Sequence, residues 1–375
     1  MKLRLSLLIL ALSLPAAGQR YRIDEINAEK PDGKLLQQIM QENDAGKKTA
    51  LLDQFSNEFP KHEAAPWVLE QLQGLYVKGN DTDKIIATGE KLLALDPDDP
   101  EAALQCLKVA EAKKDVAGVR RFGLMTGAAA HKMAASEQPK ETGEVEGWKA
   151  QVAYARQVEQ YADYALYRVT LESRDPKFVM ETAEAVRARN GESEYAAKIA
   201  EPLFVAYRQA KEDSKALALA EKMVAAGGGS EDMLLVLANS YMEQKKEPEK
   251  IHSYSARIVQ LMGQKTKPEG ISDADWSSRR NLIMGLAHYM SGKQYHNDNQ
   301  FAKADVELRA ALPMVEGNPA IRPEVLYMLA MSNFKLDKPQ EAANYFKACA
   351  AVKSPYQQLS ATNLARLKTQ YTGIK

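Results

Sequence analysis

Only two of the 375 residues are cysteine, Cys106 and Cys349, and they lie far apart in the chain. Two thiols cannot build the disulfide framework of a small secreted domain, and neither has a second Cys or His at metal or redox spacing. Each sits in an apolar helical setting, Leu104-Gln105-Cys106-Leu107 and Ala348-Cys349-Ala350. Both therefore read as buried free thiols, acting as small hydrophobes. Net charge is absent as well: 50 Lys and Arg balance 50 Asp and Glu. That balance removes the long-range attraction that nucleic acid or anionic lipid needs. Arg120-Arg121 and Arg279-Arg280 are short basic pairs that read as solvated helix faces. Aromatic residues amount to 7%.

Chemistry-bearing patterns are missing too. The closest pair among the five histidines (His62, His131, His252, His288 and His296) is His288 and His296, eight residues apart, with Asp298 nearby. Metal pairs on one helix face are three or four apart. No G-x-S-x-G occurs, and Gly227-Gly228-Gly229 has neither a preceding strand nor a following Lys-Ser/Thr. It is not a phosphate loop. Asp96-Pro97-Asp98-Asp99-Pro100-Glu101 lacks the ligand spacing of a calcium loop and reads as a turn with acids at the next helix N-terminus. Met284, Met290, Met314, Met328 and Met331 have helical spacing beside Leu and Ala, which fits core packing better than copper ligation. No cofactor or metal is expected.

What the chain has is alanine, 55 residues, which favours helix over sheet. Its start, MKLRLSLLILALSLPAAGQ, carries Lys2 and Arg4, an apolar run Leu5–Leu14, then Pro15-Ala16-Ala17-Gly18. This is the pattern of a secretory signal peptide cut after Ala17 or Gly18, and the run is half the length of a membrane span. Nothing later resembles a second span. Removing 1–18 leaves 48 positive against 50 negative charges. The expected protein is exported, periplasmic or secreted.

Internal periodicity sets the architecture. Leu326, Leu329, Ala330 and Asn333 follow helical spacing, Leu336-Asp337-Lys338-Pro339 is a tight break, and Ala342, Phe346, Cys349 and Ala350 share the next helical face. This hairpin recurs at intervals of 34–38 residues. Ile85, Gly89 and Leu92 precede Val119, Gly123 and Thr126, and Ala216, Ala220 and Val224 precede Ile251, Ser255 and Val259. Met284 and Gly285 align with Leu329 and Ala330, and Lys293–Gln300 reads as an enlarged turn. Repeat units fall at 29–62, 66–99, 100–133, 160–190, 196–226, 231–262, 276–316 and 323–356. Trp67, Trp148 and Trp276 each begin a predicted helix, the one from Trp148 to Glu172 unusually long. The polar stretch Ser136–Gly143 interrupts the period and is read as a kink or subdomain boundary. Ala226–Ser230 and Gly263–Asp275 are further breaks.

The unit Leu69…Leu72…Tyr76…Gly79-Asn80…Ile85…Leu92…Leu95-Asp96-Pro97, and more closely Leu329-Ala330…Glu341-Ala342…Phe346…Ala350, resembles a tetratricopeptide repeat (TPR). Gly89 and Gly123 depart from the family pattern, standing where it often has Tyr or Phe. The resemblance implies an all-α, right-handed superhelical solenoid of helix–turn–helix hairpins that binds proteins or peptides and performs no chemistry. The expected organisation is a signal peptide (1–18), N-terminal repeats (29–135), central degenerate repeats (148–262), C-terminal repeats (276–356) and a capping helix (357–375). In the family the first helix of each hairpin lines a concave groove. That places Glu70, Lys78, Asn239, Glu243, Tyr327, Met331, Phe334 and Lys335 as candidate protein-binding positions. Tyr327, Met331 and Phe334 would serve as apolar anchors unless they pack on adjacent repeats.

The function these features imply is a non-enzymatic exported scaffold that binds a protein or peptide in assembling or organising a cell-envelope complex. One alternative is a soluble periplasmic carrier of a lipid, glycan or other small ligand. A remote alternative is an envelope enzyme acting on wall polymer, which would require a catalytic acid in a deep cleft.

Overall fold

The computed structural model describes residues 20–23 and 25–371. The signal-peptide expectation falls on residues outside this range. Every regular element among the described residues is helical. The chain forms two compact units, divided between Ala210 and Lys211.

The first unit holds α1 (Pro31–Gln41), α2 (Ala45–Glu58), α3 (Ala65–Lys78), α4 (Thr82–Leu95), α5 (Pro100–Ala112), α6 (Val116–Ala134), α7 (Val145–Glu172), α8 (Pro176–Arg189), the short α9 (Glu194–Lys198) and α10 (Ala200–Gln209). The second holds α11 (Asp213–Ala225), α12 (Glu231–Gln244), α13 (Pro248–Gln264), α14 (Asp273–Asn297), α15 (Phe301–Met314), α16 (Arg322–Lys335), α17 (Pro339–Ala350) and α18 (Gln357–Gln370). Within the first unit, successive helices from α1 to α8 pack in chain order, and α3 touches α5, α5 touches α7 and α6 touches α8. Within the second, the same order runs from α11 to α18, with α12 on α14 and α14 on α16. This is the stacking of an all-α hairpin repeat: no hairpin buries its apolar stripe alone, so each one completes its neighbour's core.

Local chemistry sets the helix starts. The side chains of Asp44, Asp81, Asp99, Asp115 and Asp175 each accept a hydrogen bond from a backbone N–H of the first turn. Such caps satisfy donors that the helix leaves orphaned. The hairpin turns repeat one device. Asn80, Lys114, Lys245, Asn299 and Asp337 all hold left-handed backbone, with φ between 55° and 59°. Asn and Asp tolerate that region better than other non-glycine residues.

Two features differ from the sequence reading. The Ser136–Gly143 stretch is the turn of the α6–α7 hairpin, whose helices pack closely, so the compact units divide at Ala210 instead. Lys293–Gln300 is not all turn. Helix α14 continues to Asn297, and the left-handed residue is Asn299. Its last turn gains contacts that the polar sequence does not advertise: Tyr295 stacks on His252 with centroids 3.7 Å apart, and His296 Nδ1 shares a 2.9 Å hydrogen bond with Ser332.

Cys106 and Cys349 are both buried and unpaired. Burial pushes the Cys106 thiol up to about 12, which removes its nucleophilic form at neutral pH. Thiol titration without reductant is expected to find two thiols in denaturant and none reacting rapidly in the native chain. Fewer than two in denaturant would reveal a bridge.

Candidate functional site

A pocket of about 400 Å³ opens in the first unit, lined from α6 by His131, from α7 by Arg156, Glu159 and Asp163, and beyond α8 by Asn190 and Tyr195. Glu159 and Asp163 stand one turn apart on α7, on the same stripe as the buried Ala155, Ala162 and Leu166. Two carboxylates are thereby carried into the core. Arg189, the last residue of α8, crosses to meet them: its NH2 nitrogen pairs with Asp163 Oδ1, and its Nε lies 3.6 Å from Glu159. Gly127 of α6 leaves the room, because a Cβ there would stand 2.7 Å from that same NH2 nitrogen and nearer still to the guanidinium carbon.

His131 Nδ1 shares a 2.9 Å hydrogen bond with Glu159, and Asn190 donates to the same oxygen at 3.3 Å. Asp163 Oδ2 is buried without a donor at hydrogen-bonding geometry, although the Ser193 hydroxyl stands close enough to favour ionisation. Burial dominates and holds the Asp163 pKa above the usual carboxylate range. The pocket thus sets Glu159 and Asp163 against Arg189 and Arg156, and leaves one buried Asp163 oxygen without a hydrogen-bond donor. Acidic residues at i and i+4 inside an apolar stripe of a long helix are the sequence signal that points here.

The eight candidate positions are distributed over both units. Glu70 and Lys78 belong to α3 in the first unit, and the other six to α12 and α16 in the second. Lys78 is exposed. Asn239 and Glu243 are exposed and bonded to each other across one turn at 2.8 Å. Tyr327, Met331 and Phe334 are half-buried against a core that includes Phe346 of α17 and Leu367 of α18, and Tyr327 also stacks on Tyr356 at 5.2 Å. The capping helix therefore covers much of what they would offer as apolar anchors. Lys335 remains exposed.

Glu70 is the most perturbed of the eight. Burial, reinforced by Asp99, raises its carboxyl to about 7, and its Oε2 has no hydrogen-bond partner. A carboxyl raised on folding contributes stability at low pH that is lost as pH climbs through its folded value. Unfolding free energy is therefore expected to fall between about pH 5 and 7 more steeply in the native chain than in Glu70→Gln. Equal slopes in denaturant titrations would refute this.

The five histidines serve as ties between elements: His62 to Asp32, His131 to Glu159, His252 to Ser291, His288 to Glu307 and His296 to Ser332. Among the described residues, no group of three His, Cys, Asp or Glu stands close enough to hold a metal ion. No helix among them is long and apolar enough to cross a membrane.

No protein-family model matches the chain, and no curated protein matches it. Several solved structures do. The TPR domain of P58(IPK) is 10% identical over 92% of this chain and 100% of that one, with a TM-score of 0.30. Yeast Tom70 is 11% identical over 92% and 97%, with a TM-score of 0.21. The Naa15/Naa10 complex with HypK-THB is 12% identical over 90% of this chain and 55% of that one, with a TM-score of 0.22. At such low scores the weight rests on this chain's own hairpin period, capped helix starts and repeated left-handed turns, and these are the features of an all-α helix-hairpin repeat protein.

Proposed function

We propose that the chain is a non-enzymatic, exported scaffold that binds a protein or peptide partner and helps to assemble or organise a cell-envelope complex. The observation that carries the binding reading is the α6–α9 pocket, whose paired buried carboxylates leave Asp163 Oδ2 without a hydrogen-bond donor. A lysine or arginine side chain from a partner would supply the missing donor, and Tyr195 offers a ring beside it. Stacked hairpins supply the rest: a rigid surface of mixed charge with selective contacts and no nucleophile in a catalytic frame.

Cross-linking with mass spectrometry in the native envelope tests this reading. Recovery of one recurrent protein, with cross-links at Lys132 beside His131 or at Lys198 paired with Glu194, supports it; recovery of no protein partner overturns it. The export part has its own test. N-terminal sequencing of the native protein should begin at Gly18 or Gln19, and an intact Met1 would refute cleavage. The pocket's size also favours a second reading, a carrier of a small polar amine. Its charged lining disfavours lipid. Native mass spectrometry of the extracted protein separates the two, because a carrier retains a small molecule and a scaffold does not.

A further inference from the structure

The segment that precedes α1 is seated on the face of other repeats. Arg20 Nε donates to Asp96 Oδ2 at 2.8 Å, and the Tyr21 hydroxyl bridges Asp96 and Asp99 at 2.9 and 3.0 Å. These partners lie at the α4–α5 turn, some 75 to 78 residues away. The Tyr21 ring packs against the core that holds Leu69 and Leu93, and Ile23 and Ile26 pack against the core of the first two hairpins. None of Arg20–Ile23 is helical. The segment lies on the repeats as a bound peptide would, anchored by a guanidinium, a phenol and two aliphatic side chains.

The face beneath it is acidic from three elements: Glu70 on α3, Asp96 and Asp99 at the α4–α5 turn, and Glu101 on α5. Tyr154 of α7 donates to Glu101. Asp99 is committed, accepting from the N–H groups of Glu101 and Ala102 as well as from Tyr21. Glu70 is not. Its Oε2 is buried and unpartnered beside Arg20, so the resident segment satisfies this face incompletely.

We infer that the face formed by Glu70, Asp96, Asp99 and Glu101 is a docking surface for an extended peptide carrying an arginine beside an aromatic residue, and that the chain's own Arg20-Tyr21 occupies it until such a partner displaces it. The occupant on the face defines the chemistry: a cation for Asp96, a phenol that reaches both aspartates, and aliphatic side chains beyond. A partner that adds one more donor for Glu70 Oε2 gains a contact that the resident segment lacks. Tethering gives the resident segment an effective concentration in the millimolar range, so only a better-matched or multivalent partner displaces it. This surface shares no lining residue with the α6–α9 pocket, and the inference stands whether or not that pocket binds a partner.

The test uses a fluorescein-labelled peptide of residues 19–23, Gln-Arg-Tyr-Arg-Ile, added to the full chain. Binding by anisotropy is expected to be at least tenfold tighter to Arg20→Ala/Tyr21→Ala than to the unaltered chain. In the opened variant it should weaken tenfold or more on adding Asp96→Asn, and also when the peptide's tyrosine is alanine. Equal affinity for the unaltered and opened chains overturns the self-occupancy, and indifference to the tyrosine overturns the peptide class. Independently of how the double variant folds, trypsin should cut after Arg20 at least tenfold faster in Asp96→Asn than in the unaltered full chain. An unchanged cleavage rate would show that the segment is not held on this face.

Discussion

Arg189→Met is expected to destabilise the chain by about 3–5 kcal/mol at neutral pH, the usual cost of removing one partner from a buried ion pair. The side chains of Asp163, Glu159 and Arg189 are 1%, 8% and 9% exposed. Without the guanidinium, two carboxylates one turn apart remain in low dielectric, with only His131 and Asn190 in support. Their repulsion adds to the desolvation that already raises Asp163. The sign of the pH dependence follows. A carboxyl whose folded pKa lies above its unfolded value contributes stability that is complete at low pH and disappears as pH rises through the folded value. The loss caused by Arg189→Met should therefore be larger at pH 7 than at pH 5, because acidification favours the protonated form of the orphaned Asp163. Urea unfolding of both chains at the two pH values measures it. A loss below 1 kcal/mol, or one independent of pH, would contradict the buried-pair account. Asp163→Leu combined with Arg189→Met should be less destabilised than Arg189→Met alone, because a buried charge is removed with its partner.

Gly89→Ala is expected to cost about 1–3 kcal/mol through overpacking, although alanine is the better helix former by about 1 kcal/mol. Gly89 lies in the middle of α4 and is buried. A Cβ there would stand 2.5 Å from Gln73 Nε2 and nearer still to Cys106 Sγ. Neither neighbour yields readily. Gln73 is pinned by hydrogen bonds to the Ile85 and Ala102 carbonyls, and Cys106 is fully buried on α5. Gly74 on α3 is the internal control. It is exposed, and a Cβ on it meets nothing within 4 Å, so Gly74→Ala should stabilise by roughly the full propensity difference of about 1 kcal/mol. Opposite signs for the two substitutions in thermal or urea unfolding carry the prediction; matching signs would refute it. Adding Cys106→Ala to Gly89→Ala should cost less than the two single changes combined, since the sulfur is the nearest obstruction.

Much of the architecture follows from local chemistry that a sequence carries openly. Helix starts are written as an Asp cap, with Pro at the first helical position after Asp99 and Asp175, and Asp81, Asp99 and Asp115 sit where the 34-residue period requires them. The paired helices at 66–99, 100–133, 231–262 and 323–356 appear as α3–α4, α5–α6, α12–α13 and α16–α17. The exception, at 293–300, has a clear cause. Its residues are polar, and the stacking of Tyr295 on His252 and the hydrogen bond of His296 to Ser332 hold them helical through partners more than 35 residues away. The candidate contacts were less legible. An aromatic or methionine on a first helix carries no mark that says whether a later helix covers it, and α18 partly covers Tyr327, Met331 and Phe334.

The composition and period of this chain by themselves determined that it is all-α, that it is built of hairpins, and that its two cysteines are packing residues. These are properties of residues within a few turns of one another, governed by capping, propensity and apolar spacing. Tertiary structure alone decided why glycine replaces an aromatic at Gly89 and Gly123. A Cβ at Gly123 would stand 3.0 Å from Leu166 of α7, just as one at Gly89 would strike Cys106 of α5, so both glycines exist to let neighbouring helices approach. It also decided that Arg189 meets Glu159 and Asp163, and that Arg20 and Tyr21 reach Asp96 and Asp99. Those encounters join residues 26 to 78 positions apart, and which side chains meet is fixed by how hairpins stack, not by any local pattern.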